Sequence, residues 1–225
     1  MFGLDWSSIP GALPFLWEGM LTTLQITCFA VIAGILVGTL LAVMRLSPSR
    51  WLVAFATGYV TVFRSVPLVM VLFWFHLILI PLVAGLLFPG RQLELRLVTA
   101  LAAFSLFEAS YYGEIIRAGI SSVSKGQWNA GLALGMTGAK AMRLVILPQA
   151  FRRMIPLLLT QAIVLFQDTT LVYVISLDDF FRKAYNIGNR DGTLNELILF
   201  AGAIYLVVCT IASGFVRQVQ RKIAV

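Results

Sequence analysis

Residues 20–44 form an unbroken apolar stretch in which no side chain carries a charge. A helix needs about 20 such residues to cross a bilayer core, because every backbone amide must be bonded within the segment. Five stretches meet this requirement, and we therefore predict five membrane-spanning helices, with six as the alternative. They cover residues 20–44, 66–88, 97–116, 154–176 and 197–216.

The charged residues are few and unevenly distributed. Only 12% of the 225 residues are charged and the mean hydropathy is +0.91, which excludes a water-facing surface and indicates an integral membrane protein. The segments 45–64, 117–153 and 217–222 hold most of the lysines and arginines. Because basic residues collect in cytoplasmic loops, we expect the N-terminus outside and the C-terminus in the cytoplasm. The net charge of +7 therefore indicates topology and not a nucleic-acid partner.

Two segments outside the predicted spans and the two cysteines within them also carry predictions. Residues 1–19 lack the basic region of a cleaved signal peptide and predict a short exported tail. Residues 51–63 are apolar but short, and predict either an interfacial helix or an early part of the second span. Cys28 and Cys209 lie in apolar runs, where we expect them to pack as small hydrophobic side chains.

The longest predicted cytoplasmic segment, residues 117–153, contains an amphipathic pattern. Trp128, Leu132, Met136 and Ala139 recur at helical spacing and predict one apolar stripe on a helix of about 15 residues lying across the membrane face. Gly135 and Gly138 interrupt this pattern and Pro148 follows it. We expect the chain to bend near the glycines and to re-enter the bilayer just after the proline.

Several side chains inside the predicted spans are polar. Glu114 and Arg117 are three residues apart and predict an ion pair on one helical face. Glu108 and Asp168 have no such local partner, so we expect either a solvated pathway or a hydrogen bond to another helix.

Two uncharged features of the spans favour packing. His76 predicts a hydrogen bond to a neighbouring helix. Gly34 and Gly38 form a G-x-x-x-G step, which favours close helix packing.

The sequence contains no combination of residues typical of a catalytic or metal site. It has one histidine, no HExxH, CxxC or GxSxG pattern, and no phosphate loop of the GxxxxGK[ST] type, so we expect no catalytic residue, no metal ligand and no ATP hydrolysis by this chain. An ion-coupled secondary transporter remains an alternative, although five spans do not divide into two inverted halves. A membrane-embedded enzyme, or a subunit with no transport role, is a further alternative.

One segment of the loop carries a specific resemblance. The pattern N129-A130-G131-x3-G135-x9-V145-x-L147-P148 resembles the EAA loop of ATP-binding cassette importer permeases, E-A-A-x3-G-x9-I-x-L-P. Asn129 departs from it by replacing the glutamate. Further segments are similar to the polar amino acid permeases of this family: FRSVPLVMVL (63–72), YYGEIIRAGI (111–120), ILPQAFRRMIP (146–156) and QDTTLVYVIS (167–176).

The resemblance implies a fold, a function and partners. The chain would be an all-α membrane permease of type I importer architecture, one transmembrane domain over residues 1–225 with a cytoplasmic coupling helix in a loop at about 120–148. It would carry a polar amino acid, glutamate or aspartate, through the bacterial inner membrane. Its partners would be an ATPase homodimer that binds ATP and Mg, a second homologous permease, a periplasmic amino-acid-binding protein and membrane lipid.

The resemblance and the polar residues of the spans together give two sets of candidate site residues. The first would couple the permease to the ATPase, and comprises Trp128, Asn129, Ala130, Gly131, Leu132, Gly135, Met136, Val145, Leu147 and Pro148. The second would line the substrate pathway, and comprises Arg64, Glu108, Gln161, Gln167, Asp168 and Thr169. Arg64 would meet substrate charge from the outer half of the membrane, or gate the path if it lies at the cytoplasmic lip.

Overall fold

A computed structural model of the protein describes residues 5–91 and 93–223, and this part of the chain folds into α-helices joined by short turns. The N-terminal half of this order contains α1 (Ile9–Arg45), α2 (Arg50–Ser65), α3 (Leu68–Trp74), α4 (Ile80–Leu87) and α5 (Arg96–Ser121). The C-terminal half contains α6 (Lys125–Ala133), α7 (Gly138–Ala141), α8 (Leu147–Asp168), α9 (Phe180–Asp191) and α10 (Leu194–Ile223). The first four residues of the predicted exported tail and the last two residues of the chain lie outside the described ranges.

Short segments of other helix types connect or extend some of these helices. The π-helical turns Phe75–Leu79 and Met142–Ile146 join α3 to α4 and α7 to α8, and the 3-10 helix Thr169–Ile175 extends α8. Within the described residues, four helical stretches are long and apolar enough to cross a membrane: Ile9–Arg45, Leu68–Leu87, Gly138–Ile175 and Leu194–Ile223. These correspond to four of the five predicted spans.

The fifth predicted span corresponds to α5, which occupies the centre of the bundle. Its 26 residues extend about 39 Å, enough to cross the membrane. It is less apolar than the others because Thr99, Ser105, Glu108 and Ser110 are buried against neighbouring helices, where they avoid lipid. α5 is therefore not among the four strongly apolar stretches, although it is long enough to cross the membrane.

The first helix is longer than the sequence analysis predicted. α1 begins at Ile9 and not at Met20, with Pro10 in its first turn. Side-chain contacts hold this additional part against α9 and the turn that follows it: Ser8 bonds Thr193 at 2.9 Å. Glu18 pairs with Lys183 at 3.1 Å. The predicted start of this helix at Met20 is therefore wrong, because the prediction counted only uncharged positions. The export of residues 1–19 stays a prediction.

The close contact between α1 and α5 uses the glycine step. A methyl group added at Gly38 would lie 2.7 Å from the backbone nitrogen of Gly113 and 2.9 Å from the carbonyl oxygen of Ala109. One added at Gly34 would lie 2.9 Å from the ring of Tyr112. The predicted packing role of Gly34 and Gly38 is confirmed, since only a residue without a side chain lets the two helices approach this closely.

The helix α2 belongs to the bundle rather than to the membrane surface. Its Ala56 and Val60 are buried against Leu41 of α1 and Ala109 of α5. The extended residue Val66 and Pro67 then separate it from α3. This favours the second of the two alternatives for residues 51–63, an early part of the second crossing, and gives no additional span.

A turn at the end of the bundle opposite the α6–α7 loop is held by polar contacts. The carboxylate of Asp179 caps α9 by accepting from the backbone nitrogens of Phe181 at 3.3 Å and Arg182 at 2.9 Å. Burial raises the pKa of Asp179 to about 7, against the effect of these hydrogen bonds. Arg96 of α5 donates to the carbonyl of Ser176 at 2.9 Å, next to the cap.

Two smaller predictions have outcomes here. His76 contacts Thr99 of α5, with 3.5 Å between its Nδ1 and the hydroxyl, which confirms the expected bond between helices. Cys28 and Cys209 are both free. Cys209 is buried, as expected of a packing residue, whereas Cys28 is exposed on the outside of the bundle.

Candidate functional site: a helical loop and a polar face

The loop after α5 contains two short helices where the sequence predicted one. α6 covers Lys125–Ala133 and α7 begins at Gly138, so the expectation of a single helix of about 15 residues is wrong. The expected bend near the glycines is confirmed. Its position follows from the backbone of Gly135, which has φ of +78°.

Gly135 ends α6 with two hydrogen bonds that identify the turn. Its own nitrogen donates to the carbonyl of Leu132 at 2.9 Å, and the nitrogen of Met136 donates to the carbonyl of Gly131 at 3.1 Å. This is the Schellman motif, in which the residue with left-handed backbone is usually glycine because a side chain there is strained. Nothing lies within 4 Å of a methyl group built on Gly135, so the requirement is conformational and not steric.

The apolar residues of the loop point in different directions. Trp128 faces inward, packing on the buried Val123 and Ile146 and lying 3.5 Å from a methyl group built on Gly138. Leu132 and Ala139, in contrast, are exposed. The predicted single stripe through Trp128, Leu132, Met136 and Ala139 is therefore wrong. Trp128 is packed inward while Leu132 on the same helix is exposed, and the bend at Gly135 separates both from Ala139.

The outward side of the loop is an apolar tip with a basic rim. The tip, which we define as Leu132, Leu134 and Leu144, is strongly exposed, and Leu134 reaches 79%. Lys140 and Arg143 are also exposed beside it. An exposed apolar patch with a polar rim is typical of a surface that binds another protein.

The remaining predicted coupling residues divide between the surface and the interior. Asn129, Ala130 and Pro148 are exposed. Met136 and Val145 are half-buried, as is Leu147. A methyl group added to buried Gly131 would lie 3.2 Å from the side chain of Ala141, so this glycine lets α6 pack on α7.

Pro148 lies within a continuous helical stretch, which begins at Gly138 and continues to Ile175. The π-helical turn Met142–Ile146 ends just before α8, where the wider turn accommodates a residue with no backbone N–H. The chain therefore does not break at the proline, and re-entry into the bilayer just after it stays a prediction.

An ion-pair cluster lies at the same end of the bundle. Glu114 and Arg117 are 2.5 Å apart, which confirms the predicted pair. Arg45 at the end of α1 also binds Glu114. Arg153 of α8 donates to the backbone and side chain of Ser122. These contacts join three helices next to the loop.

Glu108 lies deeper in the bundle and is fully buried. The side-chain amide of Gln161 on α8 donates to its two carboxylate oxygens, at 3.3 and 3.0 Å. Of the two expectations for Glu108, a solvated pathway or a bond to another helix, the structure has the second. Gln161 itself is half-buried.

Arg64 ends α2 beside the break at Pro67, and its side chain is exposed. Its guanidinium lies over the ring of Tyr111 at 5.2 Å, three residues from Glu108 along α5. It forms no salt bridge with any residue that the structure describes. Arg64 thus lies beside the middle of α5, and its predicted role in the substrate pathway stays a prediction.

The other predicted pathway residues lie on α8 and its extension. Gln167 is exposed, and Asp168 is half-buried with no salt bridge to any described residue. Asp168 is two turns from Gln161 and lies on the same side of α8. Thr169 is fully buried and donates to the carbonyl of Phe166 at 2.6 Å, which places it inside the bundle.

A groove between α8 and α10 contains polar residues that the sequence analysis missed. Its volume is about 700 Å³, and its lining includes Thr160, Gln167, Thr210, Ser213, Arg217 and Gln220. The four positions on α10 recur at spacings of three and four, so they form one stripe along the helix. That spacing is a signal in the sequence itself, since polar residues on one side of a membrane helix are expected to avoid lipid.

We call Arg64, Asp168 and the polar lining of this groove the polar face. Gln161 bonds Glu108 of α5 and Gln167 lines the groove, while Arg64 is exposed beside the half-buried Tyr111. Charged groups at this depth avoid lipid, so the polar face requires water, solute or another protein chain against it.

Comparison with known proteins identifies relatives over the whole chain. Residues 31–225 match the family model of the binding-protein-dependent transport system inner membrane component. The glutamate/aspartate import permease protein GltK of Escherichia coli O157:H7 is 58% identical over 224 residues, covering 100% of both chains. The arginine transport system permease protein ArtQ of Bacillus subtilis is 36% identical over 220 residues, covering 98% of this chain and 97% of that protein.

A solved structure has the same fold. An amino acid ABC transporter with histidines contains a chain that superposes with a TM-score of 0.88 at 31% identity, covering 98% of this chain and 100% of that one. The all-helical bundle is that of the type I importer permeases, as the sequence resemblance implied. The chain belongs to the family of inner membrane components of binding-protein-dependent transport systems.

Proposed function

We propose that this chain is one of two membrane subunits of an ATP-driven importer for acidic amino acids, with glutamate and aspartate as substrates. The observation that carries the proposal is the loop: an exposed apolar tip held by Gly135 at the basic end of a membrane bundle. A short helix and a defined turn can transmit a rigid-body displacement from a separate motor. The likeness to a glutamate/aspartate import permease supports the choice of substrate.

The loop would dock on an ATPase subunit. Leu134 and Leu132 would enter an apolar depression on the ATPase, while Lys140 and Arg143 would contribute rim contacts that steer association more than they strengthen it. Inward packing of Trp128 supports this arrangement, since it ties the tip to α8 and so to the membrane part. ATP and Mg would be bound by the partner ATPase homodimer.

The polar face would line the substrate pathway. An acidic amino acid has two carboxylates and one ammonium group, and it needs partners for these charges once it leaves water. Arg64 is a cation without an acidic partner among the described residues, and Asp168 is an acid without a cationic one. Arg64 would meet a carboxylate and Asp168 the ammonium group, whereas Glu108 would remain bound to Gln161.

The pathway needs a second wall, because the polar face is open on one side of this bundle. A second, homologous permease subunit would supply it, forming a heterodimer. A periplasmic amino-acid-binding protein would deliver the substrate at the end that carries α9, and anionic lipid would contact the basic end. In this orientation the N-terminus is outside and the C-terminus is in the cytoplasm, in accord with the concentration of arginine and lysine near the loop.

Uptake into vesicles tests the proposal. The complete complex, with both permeases, the ATPase and the binding protein, is reconstituted, and uptake of labelled glutamate is measured with and without ATP. We expect uptake that requires ATP and the ATPase, and a loss of at least about tenfold on Arg64→Gln but a smaller loss on Arg64→Lys. Uptake driven by an ion gradient in the absence of the ATPase would support the secondary transporter instead and contradict the proposal.

A further inference from the structure

The α8–α10 groove continues toward the basic end of the bundle. A second depression of about 580 Å³ adjoins it and shares Gln220. Arg152 and Arg153 line this part, with Gln149. The charged side chains that line the two depressions, among the residues that the structure describes, are all arginines, so the groove is a polar channel with a positive potential.

Arg217 is the charged residue in the lining of the larger depression. The preceding residue, Val216, lines an apolar pocket together with Leu159 of α8. Arg217 therefore lies on the part of α10 that faces α8. It is exposed and forms no salt bridge with a described residue.

Hydrogen-bonding groups without charge surround Arg217. Thr210 and Ser213 precede it by seven and four residues on α10, and Thr160 faces them from α8. An arginine with nearby hydroxyls is the combination that binds a carboxylate in a partly dehydrated site, because the guanidinium presents paired donors and the hydroxyls complete the acceptor's coordination.

We propose that this groove is a carboxylate-binding site, and that Arg217 binds the side-chain carboxylate of an acidic amino acid on its way to the basic end. The inference rests on the proposed function and names the residue that distinguishes acidic from amide side chains. Arg64 and Arg217 are then two exposed cations without a salt bridge to a described residue, and they match in number the two carboxylates of glutamate or aspartate. Removing the charge from the substrate's side chain leaves Arg217 without its partner.

A thiol-protection assay on the complete complex tests this site without depending on which amino acid the binding protein delivers. Cys28 and Cys209 are replaced by alanine, and Val164→Cys, at an exposed apolar position of the lining, provides a reporter in the groove. In the nucleotide-free complex, we measure the rate of maleimide labelling with L-glutamate and with L-glutamine. At a glutamate concentration about ten times its dissociation constant, labelling should slow by about tenfold, while glutamine should have little effect.

Substitutions on α10 assign the effect to one side chain. Arg217→Gln should abolish protection by glutamate and Arg217→Lys should retain part of it. Arg221→Gln, a matched loss of charge one turn further on and outside the groove lining, should retain all of it. Full protection in the Arg217→Gln complex, or none in the parent, would overturn the assignment.

Two further measurements are needed. The first distinguishes a lipid phosphate from the substrate as the anion in the groove, and the second distinguishes a failure of the groove site from a failure of the proposed function. Vesicles with and without anionic lipid are compared: protection that follows anionic lipid and does not respond to glutamate would mean that a lipid phosphate occupies the groove, which overturns the assignment to substrate. ATP-driven glutamate uptake is measured in the same vesicles. Uptake without protection contradicts only the groove site, whereas an unmodified complex without ATP-driven uptake contradicts the proposed function.

Discussion

The side-chain amide of Gln161 donates to both carboxylate oxygens of Glu108, joining α8 to α5 at the centre of the bundle. The two residues are 53 positions apart in sequence and Glu108 is fully buried. A buried acceptor that loses its donor costs about 1–3 kcal/mol, and more when it is charged. The pair therefore fixes α8, which carries Asp168 and part of the groove lining, to the central helix α5.

Gln161→Leu should destabilise the complex by at least about 1–3 kcal/mol, because Glu108 then lacks a donor. Thermal unfolding of the purified complex in detergent measures this. The double variant Glu108→Gln with Gln161→Leu is the control, and it should recover part of the loss since no buried charge remains. A single variant as stable as the parent would show that another group satisfies Glu108.

Gly135→Ala should weaken coupling between the loop and the ATPase. A side chain in left-handed backbone costs about 1–2 kcal/mol, so the turn that presents Leu134 is distorted. The rate of substrate-stimulated ATP hydrolysis by the reconstituted complex should fall. It should fall less in Gly135→Asn, because asparagine tolerates this backbone. Gly126→Ala in α6 is the matched control and should change little, since its added methyl group meets only Ser124 at 3.7 Å.

Gly38→Ala should disrupt the packing of α1 on α5. The added methyl group would lie 2.7 Å from a backbone nitrogen, which cannot move independently of its helix. We expect a loss of about 1–3 kcal/mol in stability, as for other overpacked cores. Gly58→Ala should be neutral or stabilising, because α2 has open space there and alanine favours helix. Equal effects of the two changes on thermal unfolding would refute the close contact.

The stability of the complex should depend on pH through Asp179. Its pKa is raised to about 7 by burial, from an ordinary value of 3.8, so the folded state binds more protons than the unfolded state between these values. The contribution of Asp179 to stability is therefore largest below pH 3.8 and decreases as the pH rises toward 7. Asp178, Glu18, Lys183 and Tyr205 face the same region.

Asp179→Asn keeps a residue that caps helices well and removes the titrating group. The unfolding temperature should decrease less between pH 5 and pH 8 in the variant than in the parent. At pH 8 the variant should be the more stable of the two. The same pH dependence in both proteins would mean that other groups are responsible.

Local patterns made much of the fold predictable. The apolar runs placed the crossings, and the spacing of Gly34 and Gly38 indicated the contact with α5, because each depends on residues within one helix. The start of α1 at Ile9 was missed since residues 9–19 include Glu18, whose charge is met by Lys183 from a distant helix. Pairs of this kind are visible only once the chain is folded.

The site was predictable to a similar extent. The offsets of Gly135 and Pro148 located the loop, but helical periodicity alone could not show that Gly135 has positive φ and separates Trp128 and Leu132 from Ala139. The stripe of Thr210, Ser213 and Arg217 was legible in the sequence and was overlooked because the C-terminal basic residues were interpreted only as topology signals. Its partner Thr160 on α8 requires the tertiary structure.

Crosslinking from the apolar tip tests most directly the claim that the loop couples this chain to a separate ATPase. Leu134→Cys, in a background where Cys28 and Cys209 are alanine, is treated with a short thiol crosslinker in the assembled complex, with Leu86→Cys on α4 as the exposed control. We predict a crosslink to the ATPase from Leu134→Cys alone. Labelling of Leu134→Cys by an impermeant reagent added outside intact cells, with no crosslink to the ATPase, would contradict the account.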